Sequence, residues 1–168
     1  MDRRQSLKWL GGLSAFVLPV VASGPSQAAS EDKLVKPAKE WRDLLPPAAY
    51  RILFEEDTER AGSSPLNQEK RDGTFICAAC YLPLFDSASK YDSGTGWPSF
   101  WQALSGAVAT RTDFKLIYPR TEYHCRRCGG HQGHVFNDGP QPTGKRYCNN
   151  GLALQFVARA DKLPELRR

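Results

Sequence analysis

The 168-residue sequence predicts a small, mostly antiparallel β domain preceded by short helices. After Gly73 the chain consists of short β-forming segments separated by Gly, Pro, Asn or Asp, whereas the apolar residues before it have helical spacing. The last segment is the clearest, because large apolar residues alternate with others along it. The predicted strands are 74–77, 82–85, 107–110, 115–118, 122–125, 134–136, 145–148 and 152–157.

The two predicted helices begin the domain, which we assign to residues 41–168. From Trp41 the apolar residues recur at i, i+3 and i+4, the spacing of one helix face. Two prolines at 46–47 end this helix and can begin a second one over 48–57, because proline is tolerated in a first helical turn. Residues 30–40 are polar and are interpreted as a linker.

Residues 1–29 have the order of an export signal: charged residues, an apolar run from Trp9 to Ala22, and small residues at a cleavage site. The apolar run is too short and too interrupted for a membrane span. The adjacent Arg3 and Arg4 favour the twin-arginine route and a periplasmic location. An ordinary secretory signal that begins with two arginines is the alternative.

The charge of the chain gives little support for a nucleic-acid partner. Cleavage after Ala29 removes three basic residues and one acidic residue, which lowers the net charge from +5 to +3 and leaves 139 residues. This length is enough for one domain with a hydrophobic core. We therefore expect a monomer with no nucleic-acid partner and no stable membrane anchor.

The five cysteines divide into two CxxC pairs and one isolated residue. Cys77 pairs with Cys80 and Cys125 with Cys128, with 44 residues between the pairs. Four thiolates at this spacing can close a tetrahedral site around one Zn²⁺, which is structural because no coordination position stays open. A thioredoxin-type redox pair would open a helix, whereas these flanks are β-like. Two disulfides are the other alternative, since exported proteins usually oxidise their cysteines.

Cys148 is the cysteine that the metal site would leave for chemistry. In an extended strand Arg146, Cys148 and Asn150 share one face. A guanidinium beside a thiol lowers its pKa, which makes cysteine nucleophilic at neutral pH. The alternative is a buried cysteine that only fills space.

Two further runs offer side chains for a site. His131, His134 and Asp138 lie on a glycine-rich segment and are candidate proton donors and acceptors. The alternative for the two histidines is that they are zinc ligands or a surface pair. Trp97 and Phe100 lie on a predicted turn, where they form part of a small apolar pocket or fill the core.

The chain resembles the B-type methionine sulfoxide reductases over roughly residues 40–158. Four blocks carry the resemblance, in the family's order: TFICAAC at 74–80, SGTGWPSF at 93–100, HQGHVFNDGP at 131–140 and RYCNN at 146–150. The resemblance implies two antiparallel sheets, arranged as a tent or small barrel and pinned by a structural zinc. It also implies reduction of the R epimer of methionine sulfoxide, free or peptide-bound, to methionine.

The resemblance implies a role for each matching residue. Cys148 would attack the sulfoxide sulfur and become a sulfenic acid. His131 and His134 would bind and protonate the sulfoxide oxygen, with Asp138 orienting them. Arg146 would stabilise the thiolate, and Asn150 would make a polar contact. Trp97 and Phe100 would bind the methyl end of the substrate.

Two positions depart from the family's pattern. Thr95 stands where many members have a second, resolving cysteine, so an external reductant, a thioredoxin-like protein or a small thiol, would regenerate Cys148. Gly151 stands where serine is more common. The rival functions are a non-enzymatic zinc module that binds a protein and a thiol–disulfide oxidoreductase that uses the CxxC pairs.

Overall fold

The computed structural model describes residues 33–115 and 117–168. The predicted export signal and the start of the predicted linker lie outside the described residues. The helices are α1 (Ala38–Leu44) and α2 (Pro47–Glu55). The strands are β1 (Gly73–Cys77), β2 (Pro83–Asp86), β3 (Lys90–Tyr91), β4 (Ser99–Phe100), β5 (Val108–Asp113), β6 (Arg120–Cys125), β7 (His131–Phe136), β8 (Arg146–Asn149) and β9 (Leu154–Ala158).

The helices have the bounds that their prolines impose. α1 follows Pro37, three residues earlier than predicted, and ends before the extended Leu45, because a residue preceding proline is disfavoured in helical conformation. α2 begins at Pro47 and ends at Glu55, and the next residue, Glu56, has left-handed backbone with a φ of 54°. No helix within residues 33–115 and 117–168 is long and apolar enough to cross a membrane.

The strands form two antiparallel sheets, as predicted. The small sheet has the order β2-β1-β9, and the large sheet has the order β3-β4-β8-β7-β6-β5. Each CxxC pair lies at the turn of a hairpin, one between β1 and β2 in the small sheet and one between β6 and β7 in the large sheet. In both turns the residue after the second cysteine, Tyr81 or Gly129, has a positive φ.

One predicted strand is wrong and two strands were missed. Residues 115, 117 and 118 lie in bends between β5 and β6, because the Asp113 carboxylate accepts a hydrogen bond from the Lys115 amide at 2.9 Å and turns the chain. β3 and β4 have two residues each, which is too short for an alternating pattern.

An aromatic cluster fills the space between the sheets. Phe75 and Phe85 from the small sheet contact Phe100 of the large sheet, with ring centroids 4.9 and 4.2 Å away. Tyr123 and Tyr147 complete the cluster on the large sheet. The opposite face of the large sheet is therefore the one available for chemistry.

Candidate active site and metal site

The register of the large sheet places the candidate catalytic side chains in one row. Ser99 of β4 is paired with Cys148 of β8, Cys148 with His134 of β7, and His134 with Glu122 of β6. Directly paired residues of antiparallel strands project to the same face. The row ends at Arg111 on β5, the pairing partner of Glu122.

A bulge in β7 brings the second histidine to this face. Residues three apart on a regular strand project to opposite faces. Tyr123 pairs with Gly133 but His124 pairs with His131, so Gln132 is an extra residue on β7. The rings of His131 and His134 consequently lie side by side, with centroids 5.6 Å apart.

Glu122 fixes the orientation of His131. The Glu122 carboxylate lies 2.8 Å from His131 Nδ1, and both residues are buried. Burial raises the pKa of Glu122, but hydrogen bonds from His124 and His131 outweigh it and bring the pKa to about 2. Arg111 Nε lies 2.7 Å from the other carboxylate oxygen. The ionised carboxylate assigns a proton to His131 Nδ1 and leaves Nε2 for a substrate.

Asp113 fixes His134 through the other ring nitrogen. Its carboxylate lies 2.8 Å from His134 Nε2 and 2.7 Å from Arg120 Nη2. The hydrogen bond from the Lys115 amide is the largest cause that lowers the pKa of Asp113, followed by the bond from His134. Burial lowers the pKa of His134, so this imidazole is neutral near pH 7. The two histidines thus present different nitrogens, Nε2 of His131 and Nδ1 of His134.

Cys148 is half-buried beside a guanidinium that is already paired. Burial raises the pKa of the Cys148 thiol, and the charge of Arg146 opposes that rise. Arg146 also makes two 2.9 Å hydrogen bonds to Asp138 and lies 4.3 Å above the Phe136 ring. Arg146 and Cys148 share a face as predicted, but the guanidinium alone does not outweigh the burial of the thiol.

The four CxxC sulfurs form a cluster of metal-binding size. All four ligand atoms lie within 4.8 Å of one another. The sulfurs of Cys77 and Cys128 are 3.7 Å apart, and those of Cys80 and Cys125 are 3.5 Å apart. A tetrahedron with Zn–S bonds of about 2.3 Å has edges of about 3.8 Å, whereas a disulfide bond measures about 2.05 Å. The residues therefore fit a metal ion and not two disulfides.

Comparisons with known proteins agree with this arrangement. A family model of the SelR domain matches residues 45–158. A peptide methionine sulfoxide reductase MsrB from Pseudomonas savastanoi pv. phaseolicola is 47% identical over 129 residues, which cover 76% of this chain and 98% of that protein. Proteins of the same name from Leptospira interrogans and Thiobacillus denitrificans are 48% and 52% identical over 122 and 118 residues, covering 72% and 70% of this chain and 93% and 89% of those proteins.

The chain belongs to the B-type methionine sulfoxide reductase family. In this family member the structure brings Cys148, Arg146, His131 and His134 together, as the sequence predicts. Three other predicted site residues, Asp138, Asn150 and Phe100, make contacts that differ from those that their assigned roles predict.

Asp138 does not orient the histidines of this B-type reductase. Its carboxylate is exposed and binds Arg146, which lowers the pKa of Asp138. Glu122 and Asp113 take the orienting role instead. Sequence reasoning missed both, because they lie on other strands and the sequence gives no signal of the register that brings them to the histidines.

Asn150 lies beside Cys148 with both polar atoms of its side chain hydrogen-bonded within the fold. The chain leaves β8 at Asn149, and the Asn150 side chain is buried between the Gln132 carbonyl and the Glu59 amide, at 3.2 and 3.1 Å. Glu59 also accepts a hydrogen bond from the Gly151 amide.

Gly151, the second departure from the family's pattern, is explained by a neighbouring serine. A Cβ atom at Gly151 would lie 1.9 Å from the Ser64 hydroxyl oxygen, so Ser64 occupies the space a side chain would need.

Of the two predicted aromatic contacts, Trp97 and Phe100, only Trp97 has a surface to offer a substrate. Phe100 is fully buried and adjacent to Ser99 on β4, so its ring projects to the core face. Trp97 is partly exposed, and its indole N–H donates to the Glu59 carbonyl at 3.2 Å. The next carbonyl, of Pro98, accepts from the Asn149 amide at 2.9 Å, which ties this segment to the catalytic strand.

Gln132, the bulge residue of β7, links the metal site of this reductase to the catalytic strand. Its side-chain amide lies 3.6 Å from the Cys77 sulfur, where it can donate a hydrogen bond. The same side chain accepts a 3.4 Å bond from the Asn149 side chain, and the Gln132 backbone carbonyl accepts a 2.8 Å bond from the Asn150 amide. The metal site therefore shares a residue with the bulge that aligns the two histidines.

Proposed function

We propose that this protein reduces the R epimer of methionine sulfoxide, in peptides or as the free amino acid, with Cys148 as nucleophile. The observation that carries the proposal is the row on the sheet face opposite the aromatic cluster: a thiol, two imidazoles and an orienting carboxylate on each imidazole. Its relatives are named peptide methionine sulfoxide reductases. The epimer and the cysteine mechanism follow from the resemblance of the four sequence blocks.

The reaction balances as an oxygen transfer between two sulfurs. The Cys148 sulfur attacks the sulfoxide sulfur while His131, through Nε2, protonates the sulfoxide oxygen. The oxygen ends on Cys148 as a sulfenic acid, and methionine leaves with its sulfur reduced by two electrons. The buried Glu122 carboxylate, 2.8 Å from His131, stabilises the imidazolium that supplies the proton. His134 is neutral and holds its proton on Nε2 toward Asp113, so its Nδ1 can accept a hydrogen bond from the protonated oxygen. Trp97 receives the methyl end of the substrate.

Regeneration of Cys148 requires a reductant from outside the chain. The other four cysteines form the metal cluster, and Thr95 stands at the position of a resolving cysteine. An external thiol, from a small molecule or a thioredoxin-like protein, would attack the sulfenic acid, release water and form a mixed disulfide. A second thiol then releases Cys148 and leaves the reductant as a disulfide.

We infer that the metal is one structural Zn²⁺ per chain. Four thiolates are the donor set that zinc prefers, and they leave no position open for a substrate. Cys77 and Cys80 come from the small sheet and Cys125 and Cys128 from the large sheet, so the ion would hold the two sheets together.

The cellular proposal rests on sequence alone. We propose that residues 1–29 direct export, through the twin-arginine route, to the periplasm, where a monomeric enzyme repairs oxidised proteins. A chain that binds zinc in the cytoplasm and is exported folded keeps its thiolates from random oxidation.

Turnover of separated sulfoxide epimers tests the proposed function. The protein is incubated with the R and the S epimer of a methionine sulfoxide peptide, each with dithiothreitol or with a thioredoxin system. We expect the R epimer to be converted to methionine with either reductant and the S epimer to remain. Absence of reduction of the R epimer with both reductants, by metal-loaded folded protein, would refute the proposal.

Glu122→Gln is expected to lower kcat by about 100-fold, because a neutral amide cannot balance the charge of a protonated His131. Steady-state kinetics on the R-epimer peptide measure the effect. Glu165→Gln, the same change at an exposed position, is the control and should behave like the parent. A kcat for Glu122→Gln within about threefold of the parent would contradict the assigned role of the carboxylate.

A further inference from the structure

Three hydroxyl groups form a continuous chain beside Cys148. The Ser99 hydroxyl lies 2.7 Å from that of Ser93, which lies 2.8 Å from that of Thr95. A hydrogen bond from the Thr95 hydroxyl is one of the causes that lower the pKa of the Cys148 thiol against its burial. At the other end the Ser99 hydroxyl lies 3.0 Å from the Trp97 carbonyl. Ser99 is fully buried and is the pairing partner of Cys148 on β4.

The chain has two possible directions, because each hydroxyl has one proton to donate. In the first direction Thr95 donates to Ser93, Ser93 donates to Ser99, and Ser99 donates to the Trp97 carbonyl. In the second direction every bond between the hydroxyls is reversed, and the Thr95 proton points to the Cys148 sulfur. Rotation of three hydroxyl protons interconverts the two states without moving a heavy atom.

The turn that holds these hydroxyls is constrained. Gly94 and Gly96 have φ values of 69° and 89°, and the Gly94 amide donates to the Asp92 carboxylate at 2.9 Å. The Gly62 amide donates to the Gly96 carbonyl at 2.7 Å. Hydroxyls on such a turn keep their positions while their protons rotate, which is what a preorganised donor requires.

We propose that Thr95, supported by Ser93 and Ser99, is a reversible hydrogen-bond donor to the Cys148 sulfur. The hydroxyl protons point toward Cys148 when its sulfur is a thiolate. The sulfur is a thiolate when it acts as the nucleophile and when it is the leaving group in the last reductive step. The protons point toward the Trp97 carbonyl when the sulfur is neutral. The inference rests on the proposed function in that Cys148 is the nucleophile, and it adds Thr95 as a catalytic residue.

A thiolate at this position needs such a donor. The thiol is half-buried, and Arg146, whose charge and hydrogen bond also lower the pKa of Cys148, shares its guanidinium with Asp138. A hydrogen bond to a charged group is roughly twice as strong as one between neutral groups. The charged and titratable groups around Cys148 stay constant when Thr95 is changed: Arg146 on its own strand, His134 on β7, Tyr91 on β3, Tyr123 on β6 and Asp138 after β7.

The test measures the ionisation of Cys148 directly in the metal-loaded protein. Alkylation by iodoacetamide is followed by mass spectrometry between pH 5 and pH 10, in the parent, Thr95→Val and Thr95→Ser. We expect Thr95→Val to slow alkylation near pH 7 by about tenfold and to move the profile to higher pH, since valine has the shape of threonine without the donor. Thr95→Ser, which keeps the hydroxyl, should retain the parent's profile.

Ser93→Ala tests whether the three hydroxyls act together or Thr95 acts alone on Cys148. It removes the middle link, and we expect a smaller shift in the same direction as for Thr95→Val. Identical profiles for Thr95→Val and the parent, with equal metal content and melting temperature, would overturn the proposal. A normal profile for Ser93→Ala beside a shifted one for Thr95→Val would overturn the chain.

Alkylation does not depend on sulfoxide turnover, so failure of the two proposals can be told apart. A protein that reduces neither epimer but shows the Thr95→Val shift would refute the proposed function and leave the hydroxyl chain supported.

Discussion

Replacing Cys148 by serine is expected to abolish sulfoxide reduction. A serine hydroxyl is a far weaker nucleophile than a thiolate and cannot accept the substrate oxygen as a sulfenic acid does. The side chain is nearly isosteric and half-buried, so the fold and the CxxC cluster should be unaffected. Turnover of the R-epimer peptide measures the loss, which we expect to exceed about 1,000-fold.

A single turnover without reductant identifies the product on the parent enzyme. We expect the peptide that contains Cys148 to gain one oxygen, because the other four cysteines belong to the metal cluster. The serine variant, with equal metal content, is the control and should remain unmodified. An internal disulfide that includes Cys148, or substantial turnover by the serine variant, would contradict the one-cysteine mechanism.

The fold was predictable where the sequence pattern is local. The β1–β2 hairpin around the first CxxC pair, the final strand and both helices follow from alternation, helical spacing and proline. β3 and β4 were not predictable, because two residues are too few to show a period. The predicted strand over 115–118 failed because Asp113 ends β5 with a side-chain hydrogen bond to the turn.

Only site residues that lie within the four sequence blocks were predictable from the sequence. Cys148 and the two histidines are recognisable from residue type, spacing and resemblance. The orienting carboxylates of Glu122 and Asp113 depend on the register of three strands and on a bulge at Gln132. The sequence suggested Asp138, because it lies near the histidines along the chain, whereas the structure pairs it with Arg146. Proximity along the sequence is a poor guide to a site that crosses a sheet.

Removal of the metal is expected to unfold the domain. The four sulfurs are among the points where the small and large sheets meet, and three of the four cysteines are completely buried. The apparent binding free energy of structural zinc in small peptides is about 10–16 kcal/mol, whereas a folded domain is stable by about 5–15 kcal/mol. The loss of the ion is therefore comparable to the whole stability of the protein.

The measurement combines metal analysis with unfolding. We expect about one zinc per chain, and loss of near-ultraviolet circular dichroism and of activity when a strong chelator removes it. Gln132 donates to Cys77 and forms the bulge beside His131, so partial opening of the metal site should already disturb the histidines. Cys128→Ser should lose the metal, whereas Cys148→Ser, the matched control, should bind it and unfold like the parent. A metal-free parent that keeps its melting temperature would show that the sheets are held together by the aromatic core alone.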